Sequence, residues 1–513
     1  MTASHQNHPY TVQRFRAALL RFAGGRAAQA LARLVLVLVL VRLLPVADYG
    51  AYMLMVGLSE MVLAVVSFGI LPVGYRYLPE FITSLPYRSL HRFIVTIIGM
   101  QVAILSGMAA LLASTWDAIM PWVGFDEEQL KRTAPGVWLF LLVPAFRFSA
   151  DLLEALLEQG KAQLARALMP TGRALILGAF LMAGHNVGIY EVLIIDIFVT
   201  LFCLLLVWML LHRSLRTLHS PGADGELPIR EMARFGWHMA AVDLLGASAS
   251  PGALRAVIAN TLGVAEAGLF AFLQSLQRLV GRYLPGVLLR GLIRPVLVAR
   301  VANADGMATA EAGTGLLFKL NLLIVGVASI IIAVGGDVLV DLLSGGKFQD
   351  AGLLLLIMFA GLAVVAQRSV IEMAMQITGQ TSVLRATALL APVALLAVWY
   401  FAKHGLEVAV LIIVGFSTLS NAIAVTVLRR GPKQFNIDIR GQAVIIGSAA
   451  VIILVCIGLM EFAQPAVAGF VGLGLFAVAM ALGKPFLPSE MRLVEKVAGQ
   501  RIASGLSRLF AHA

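Results

Sequence analysis

Only two cysteines, Cys203 and Cys456, occur in 513 residues. Both stand inside apolar runs, where a small buried hydrophobe is their expected role. No disulfide framework and no metal site organise this chain. Charge is sparse as well: 13% of residues are Asp, Glu, Lys or Arg, against 60% hydrophobic, and the mean hydropathy is +0.90. That composition carries more apolar surface than a soluble core can hide, so the solvent it fits is lipid. Alternation of apolar and polar residues, the pattern of a membrane barrel strand, is missing from the apolar runs. Large loops are missing too. The longest connections run to about 30 residues, below the size of a domain, so a soluble catalytic appendage is excluded. The expectation is a protein that is not an enzyme and needs no cofactor.

What is present is a succession of apolar runs of about 20 residues, the length of a helical bilayer crossing. Hydropathy places about fourteen spans, at 24–44, 50–70, 92–114, 134–156, 165–184, 190–211, 235–262, 268–289, 316–336, 351–372, 382–402, 407–428, 441–461 and 465–487. The fold class is therefore an all-α polytopic membrane protein with about 14 transmembrane helices. An even count puts both termini on one side. With that side cytoplasmic, about 27 Lys and Arg fall in the inner loops and tails and about 4 in the outer loops, the asymmetry of the positive-inside rule. Inner connections carry Arg76/Arg88/Arg92, Arg213/Arg216/Arg230/Arg234 and Arg429/Arg430/Lys433/Arg440, while the longer outer loops hold Asp126/Glu127/Glu128 and Asp337/Asp341/Asp350. The net charge of +11 is thus spread along a membrane surface and forms no nucleic-acid patch. Residues 1–23 read as a basic amphipathic segment preceding the first span.

The chain repeats itself. Leu44-Pro-Val-Ala-Asp-Tyr-Gly-Ala-Tyr52 matches Leu262-Gly-Val-Ala-Glu-Ala-Gly-Leu-Phe270, and Arg147-x-x-x-Asp151 matches Arg368-x-x-x-Glu372, at an offset of about 218–221 residues. Six spans per unit is an even number, so the two copies run in parallel about an axis along the membrane normal. The expected division is an N-lobe at 24–211, an inter-lobe linker at 212–234, a C-lobe at 235–428, a terminal helix pair at 429–487 and a basic cytoplasmic tail at 488–513.

Charges inside spans point to a cavity, because a charged side chain at the bilayer centre costs about 2.5–3.5 kcal/mol on insertion scales. Arg33 lies within the first span. The eighth span bears Gln274, Gln277, Arg278 and Arg282 along one helical face. The repeat makes Glu60 and Arg278 equivalent, so both are expected at one central cavity. Arg147/Asp151 and Arg368/Glu372 are i,i+4 pairs that fit a duplicated gating or packing element. In the seventh span Gly246-Ala-Ser-Ala-Ser-Pro-Gly252 interrupts the apolar run, and Pro251 with Gly252 marks a hinge or a passive kink. Arg33, Arg255, Arg278 and Arg282 outnumber Glu60, Asp196 and Asp243, and guanidinium forks suit phosphate oxygens.

The stretch from Arg42 to Tyr52, with Gly69-Ile and Arg76-Tyr-Leu-Pro-Glu80, resembles the start of the Wzx-like polysaccharide and O-antigen flippases of the multidrug/oligosaccharidyl-lipid/polysaccharide exporter superfamily. The likeness is sharpest over the first 80 or so residues. It implies a flippase of the bacterial inner membrane that moves a polyprenyl-diphosphate-linked oligosaccharide outward by alternating access. On that reading Arg33, Arg255, Arg278, Arg282, Gln274 and Gln277 meet the diphosphate and sugar. Glu60, Asp196 and Asp243 are candidates for coupling to H+ or Na+, and the polymerase and export proteins of the same route are possible partners. The alternatives are a lipid II flippase, a multidrug exporter of the same superfamily, and, from another class, a membrane polymerase or ligase.

Overall fold

The computed structural model describes residues 12–498 apart from 68, 85, 157, 186, 218–227, 249, 289–305, 379, 381, 432 and 433. Residues 1–11 of the basic N-terminal segment, the middle of the expected linker, Lys433 and the tail beyond 498 lie outside the described residues. All elements are helical, with no strand among the described residues.

The chain divides into two compact units, Met1–Ala271 and Phe272–Ala513. In the first, α1 (Val12–Leu43) is one continuous helix that joins the basic segment to the first span. It is followed by α2 (Val46–Val66), α3 (Ile70–Ser84), α4 (Tyr87–Ser114), two short helices α5 (Trp116–Trp122) and α6 (Glu127–Thr133), and α7 (Leu139–Ala155). Next come α8 (Gln159–Met182), α9 (Ile189–Thr217), α10 (Ile229–Ala247) and α11 (Pro251–Leu262). Residues 235–271, which the repeat gives to the second lobe, therefore pack with the first unit. The helix α12 (Val264–Gly281) begins within it.

The second unit continues with α13 (Pro285–Leu288), α14 (Gly306–Ser344), α15 (Gly352–Thr378), α16 (Ser382–Ala388), α17 (Leu390–Phe401) and α18 (Leu406–Arg430). It ends with α19 (Ile439–Leu459), α20 (Pro465–Gly483) and α21 (Pro488–Ala498). Helix starts recur at nearly constant spacing: Val46 and Val264 open α2 and α12, Tyr87 and Gly306 open α4 and α14, and Ile189 and Leu406 open α9 and α18, each pair about 218 residues apart. Helix α2 ends at Val66 and α3 opens at Ile70, and α12 is likewise followed by a break, at Arg282–Leu284.

Eleven helices among the described residues are long and apolar enough to cross a membrane, and they coincide with eleven of the expected spans. The three left over are the first, seventh and eighth. The first is described with side chains only from Ala28 onward; the other two depart for physical reasons. The seventh is divided into α10, which ends at Ala247, and α11, which Pro251 opens and where the Ser250 hydroxyl accepts from the Ala253 amide at 3.2 Å; serine as N-cap with proline at the first helical position is a strong start signal. The eighth, α12, spans only 18 residues and contains Glu266 and Arg278. Chain destined for lipid alone needs no such polarity.

Burial separates inner from outer helices. The α6–α7 span is 72% buried and forms the heart of the first unit, whereas the α17 and α18 spans are 17% buried. Large apolar side chains such as Phe462, Phe470 and Leu482 point outward, which is the surface a bilayer requires. Cys203 and Cys456 are buried in α9 and α19.

Candidate functional site

In the first unit, polar groups inside the bundle form two distinct networks. Glu60, near the end of α2, is ion-paired with Arg147 of α7. Arg147 is thus committed across helices, and Asp151, its expected i,i+4 partner, pairs instead with Arg166 of α8. The other guanidinium nitrogen of Arg166 reaches Glu154 at 2.6 Å. Residues 147, 151 and 154 share one face of α7, so a ladder of charge runs down the helix with side chains one-fifth to one-third exposed. The i,i+4 expectation is corrected here: a cross-helix partner holds a carboxylate with better geometry than a neighbour on the same surface. In the second unit the corresponding pair does form, Arg368 Nε to Glu372 at 3.4 Å. Arg368 also donates to Ser420 and Thr387, each at 2.9 Å.

The second network is buried. Asp196 of α9 is fully buried, accepts from the Tyr52 hydroxyl at 2.6 Å, and lies 3.0 Å from Arg173 Nε. Arg173 further donates to Thr200 at 2.6 Å, and Thr200 donates back to the Asp196 carbonyl. Sequence reading named Asp196 but missed Arg173. A buried carboxylate paired to a fixed guanidinium is a packing centre in this conformation, and any ion-coupling role requires that pair to open.

Arg255, expected at an anionic headgroup, is 2% exposed and its Nη1 donates to the Met53 carbonyl at 2.9 Å. The helices α2 and α11 cross here at Gly57 and Gly252, so closely that a side chain on Gly252 would collide with the Gly57 carbonyl. Arg255 thus serves helix packing in this conformation and does not face open space. Pro251 and Gly252 sit at a true helix break, not at a kink in a continuous helix. Asp243 accepts from Ser67 at 3.2 Å, joining α10 to the α2–α3 break.

Arg33 is half-buried on α1. Along α12 the expected stripe grades from buried to exposed: Gln274 is buried, Gln277 and Arg278 are half-buried, and Arg282 at the helix end is exposed. Gln277 donates to the Met358 carbonyl of α15, and Arg278 to Gln274 at 3.2 Å. The upper stripe is therefore engaged in packing and the two arginines carry its accessible charge. Glu60 and Arg278 lie in different units.

A third cluster escaped sequence reading. Lys319 of α14 has no exposed surface, and its ammonium donates to both Glu490 oxygens at 2.8 and 2.7 Å and to Asp438 at 2.6 Å. The signal was present: a single lysine in Leu316-Leu-Phe-Lys-Leu-Asn-Leu322 demands a partner within the membrane boundary.

With the fold in hand, comparison with known proteins is informative at one level. No family model matches the sequence, and no curated protein matches it. Solved structures do match. The chain is similar to the lipid II flippase MurJ in an inward closed conformation, with a TM-score of 0.67 and 11% identity over 90% of this chain and 98% of that one. It is also similar to an inward-facing multidrug resistance MATE family transporter of the MOP superfamily, with a TM-score of 0.61 and 13% identity over 77% of this chain and 92% of that one. The fold is that of these many-helix transporters.

Proposed function

We propose that this chain is a flippase that carries a polyprenyl-diphosphate-linked oligosaccharide from the cytoplasmic to the periplasmic leaflet by alternating access, for cell-surface or extracellular polysaccharide synthesis. The observation that carries the reading is the α12 stripe, which ends in Arg278 and Arg282 inside a fold shared with a lipid II flippase along nearly its whole length. Guanidinium forks match a diphosphate bidentately. The likeness of residues 42–80 to Wzx-like flippases favours a polysaccharide precursor over lipid II. The basic inner loops support a multi-pass protein of the bacterial inner membrane with both termini cytoplasmic. Translocation needs no covalent step, so the reading includes neither cofactor nor catalytic residue; H+ or Na+ is the proposed coupling ion.

The test is transport of a fluorescent polyprenyl-diphosphate oligosaccharide in proteoliposomes. Arg278→Ala and Arg282→Ala are each expected to lower the rate about 10-fold, the loss of one charge-assisted pair. Unchanged transport in both variants removes the headgroup assignment. A second reading, a multidrug exporter, is favoured by the MATE-like fold; efflux of an organic cation without flipping of the lipid-linked sugar would establish it.

A further inference from the structure

The helix α21 is strongly amphipathic, and with a basic sequence beyond it the obvious role is to lie on the lipid surface. The structure gives its apolar face a different partner. Met491 is buried together with Phe486, and Leu316, Leu323 and Val494 pack against them. Leu316 and Leu323 belong to α14, on either side of Lys319.

The polar side of the same junction is equally complete. Lys319 has three ammonium hydrogens and three acceptors, two from Glu490 and one from Asp438. Each carboxylate has a second duty at a helix start: Asp438 accepts from the Gly441 amide at 3.1 Å at the head of α19, and Glu490 from the Leu487 amide at 2.8 Å at the head of α21. One cation faces two anions, and the two helix N-termini stabilise the surplus negative charge. The Phe486 ring lies 5.8 Å from the ammonium and closes the site. The connection from α18 to α19 is fixed to the same part of α14, because the Asn436 amide donates to Glu311 at 2.6 Å and Phe435 and Ile437 are buried beside Phe318. Further along the bundle, α19 and α20 bury Ile445, Ile452, Phe476 and Met480 against Leu322 and Ile330 of α14.

We propose that Lys319, Asp438 and Glu490 form an internal clamp that docks α21 on α14, so that the terminal helices α19–α21 move with α14 as one body. The final helix is then a strap within the second unit and not a membrane-surface anchor. The clamp ties segments outside the repeat to α14 within it, and its test reads no transport.

Spin labels are placed on Ala308→Cys at the inner end of α14 and Arg492→Cys on α21, both exposed positions, in the full chain in nanodiscs. The buried native cysteines are left in place. The otherwise unchanged protein is expected to give one narrow distance. Lys319→Met and Glu490→Ala are each expected to broaden it and to speed amide exchange across α21 at least about 10-fold, while the amides of α19 and α20 keep their protection. Should Lys319→Met fail to fold, Glu490→Ala, which keeps the lysine paired with Asp438, decides alone. A narrow distance retained in the Glu490→Ala variant, with α21 exchange unchanged, overturns the clamp. So does strong relaxation of the Arg492→Cys label by a headgroup-bound paramagnetic lipid in the unchanged protein, which would put α21 on the bilayer.

Discussion

Gly50 and Gly268 lie against each other in the first unit: a methyl group on Gly268 would sit 2.8 Å from the Gly50 Cα, and one on Gly50 would collide with the Val264 carbonyl. They are the same position in the two copies of the repeated turn, so the start of α2 meets the start of its counterpart α12 backbone to backbone. Only glycine allows that approach. Gly50→Ala is expected to lower the unfolding temperature in detergent through an overpacking cost of about 1–3 kcal/mol. Gly99→Ala and Gly107→Ala, where a side chain meets open space, serve as controls and should be neutral or stabilising. Equal melting of all three variants would show that the close crossing is not what holds these helices.

The Glu60–Arg147 pair joins α2 to α7 at partly buried positions. A double-mutant cycle with Glu60→Gln and Arg147→Met is expected to give a coupling energy of about 1 kcal/mol or more in unfolding. The double variant should be more stable than the sum of the singles implies, because each single leaves its partner's charge behind and the double leaves neither. Additive single effects would mean that the two side chains act independently, with Glu60 held through other neighbours such as Arg255, whose charge is close enough to interact with it.

Asp196 separates a packing role from an ion-coupling role. Arg173 occupies the carboxylate and no part of Asp196 is exposed. Asp196→Asn should therefore destabilise the protein by roughly 3 kcal/mol, the effect of leaving a buried guanidinium unpaired. Adding Arg173→Met should recover much of that loss. A well-folded Asp196→Asn protein that had lost only its dependence on a proton or sodium gradient would reverse the conclusion and restore Asp196 as the coupling group.

How far the sequence carried the structure depended on the range of the interaction. Eleven spans were legible because each is a local apolar run whose length the bilayer sets. The interruption near Pro251 was legible because proline removes a backbone donor, but that it is a full break capped by Ser250 was not. Arg368 with Glu372 was legible as a neighbour pair on one helix. Their counterparts Arg147 and Asp151 were read in the same way and instead took partners on other helices, which no local pattern encodes. Lys319, Asp438 and Glu490 span 171 residues, and only folding brings them together. Arg255 showed the converse limit. A charge in a span is expected at a cavity or a partner, and one contact of Arg255 is a backbone carbonyl across a glycine crossing, which composition does not reveal.

The two carboxylates on Lys319 should answer acid differently, and both lie beyond the ends of the adjoining spans. Burial pushes Glu490 up, with the Asp438 charge adding to the effect, and the Lys319 and Leu487 contacts only partly oppose it. Burial also acts upward on Asp438, but hydrogen bonds from Lys319 and from the Gly441 and Arg440 amides outweigh it and hold that carboxyl below its ordinary value. For Glu490, whose folded value is raised, the linked stability is fully present below the ordinary carboxylate range and is lost as pH rises through the raised value. For Asp438 the sign is opposite: its contribution is present above the ordinary range and is lost as pH falls through the depressed value. Acidification from neutral therefore protonates Glu490 first while Asp438 stays on the lysine. At neutral pH Asp438→Asn should cost more stability than Glu490→Gln, and Glu490→Gln should flatten the pH dependence of α21 amide exchange above the carboxylate range. The same exchange series at several pH values checks both. A larger cost for Glu490→Gln would mean that Glu490 carries the permanent charge of the cluster and Asp438 is its titrating member.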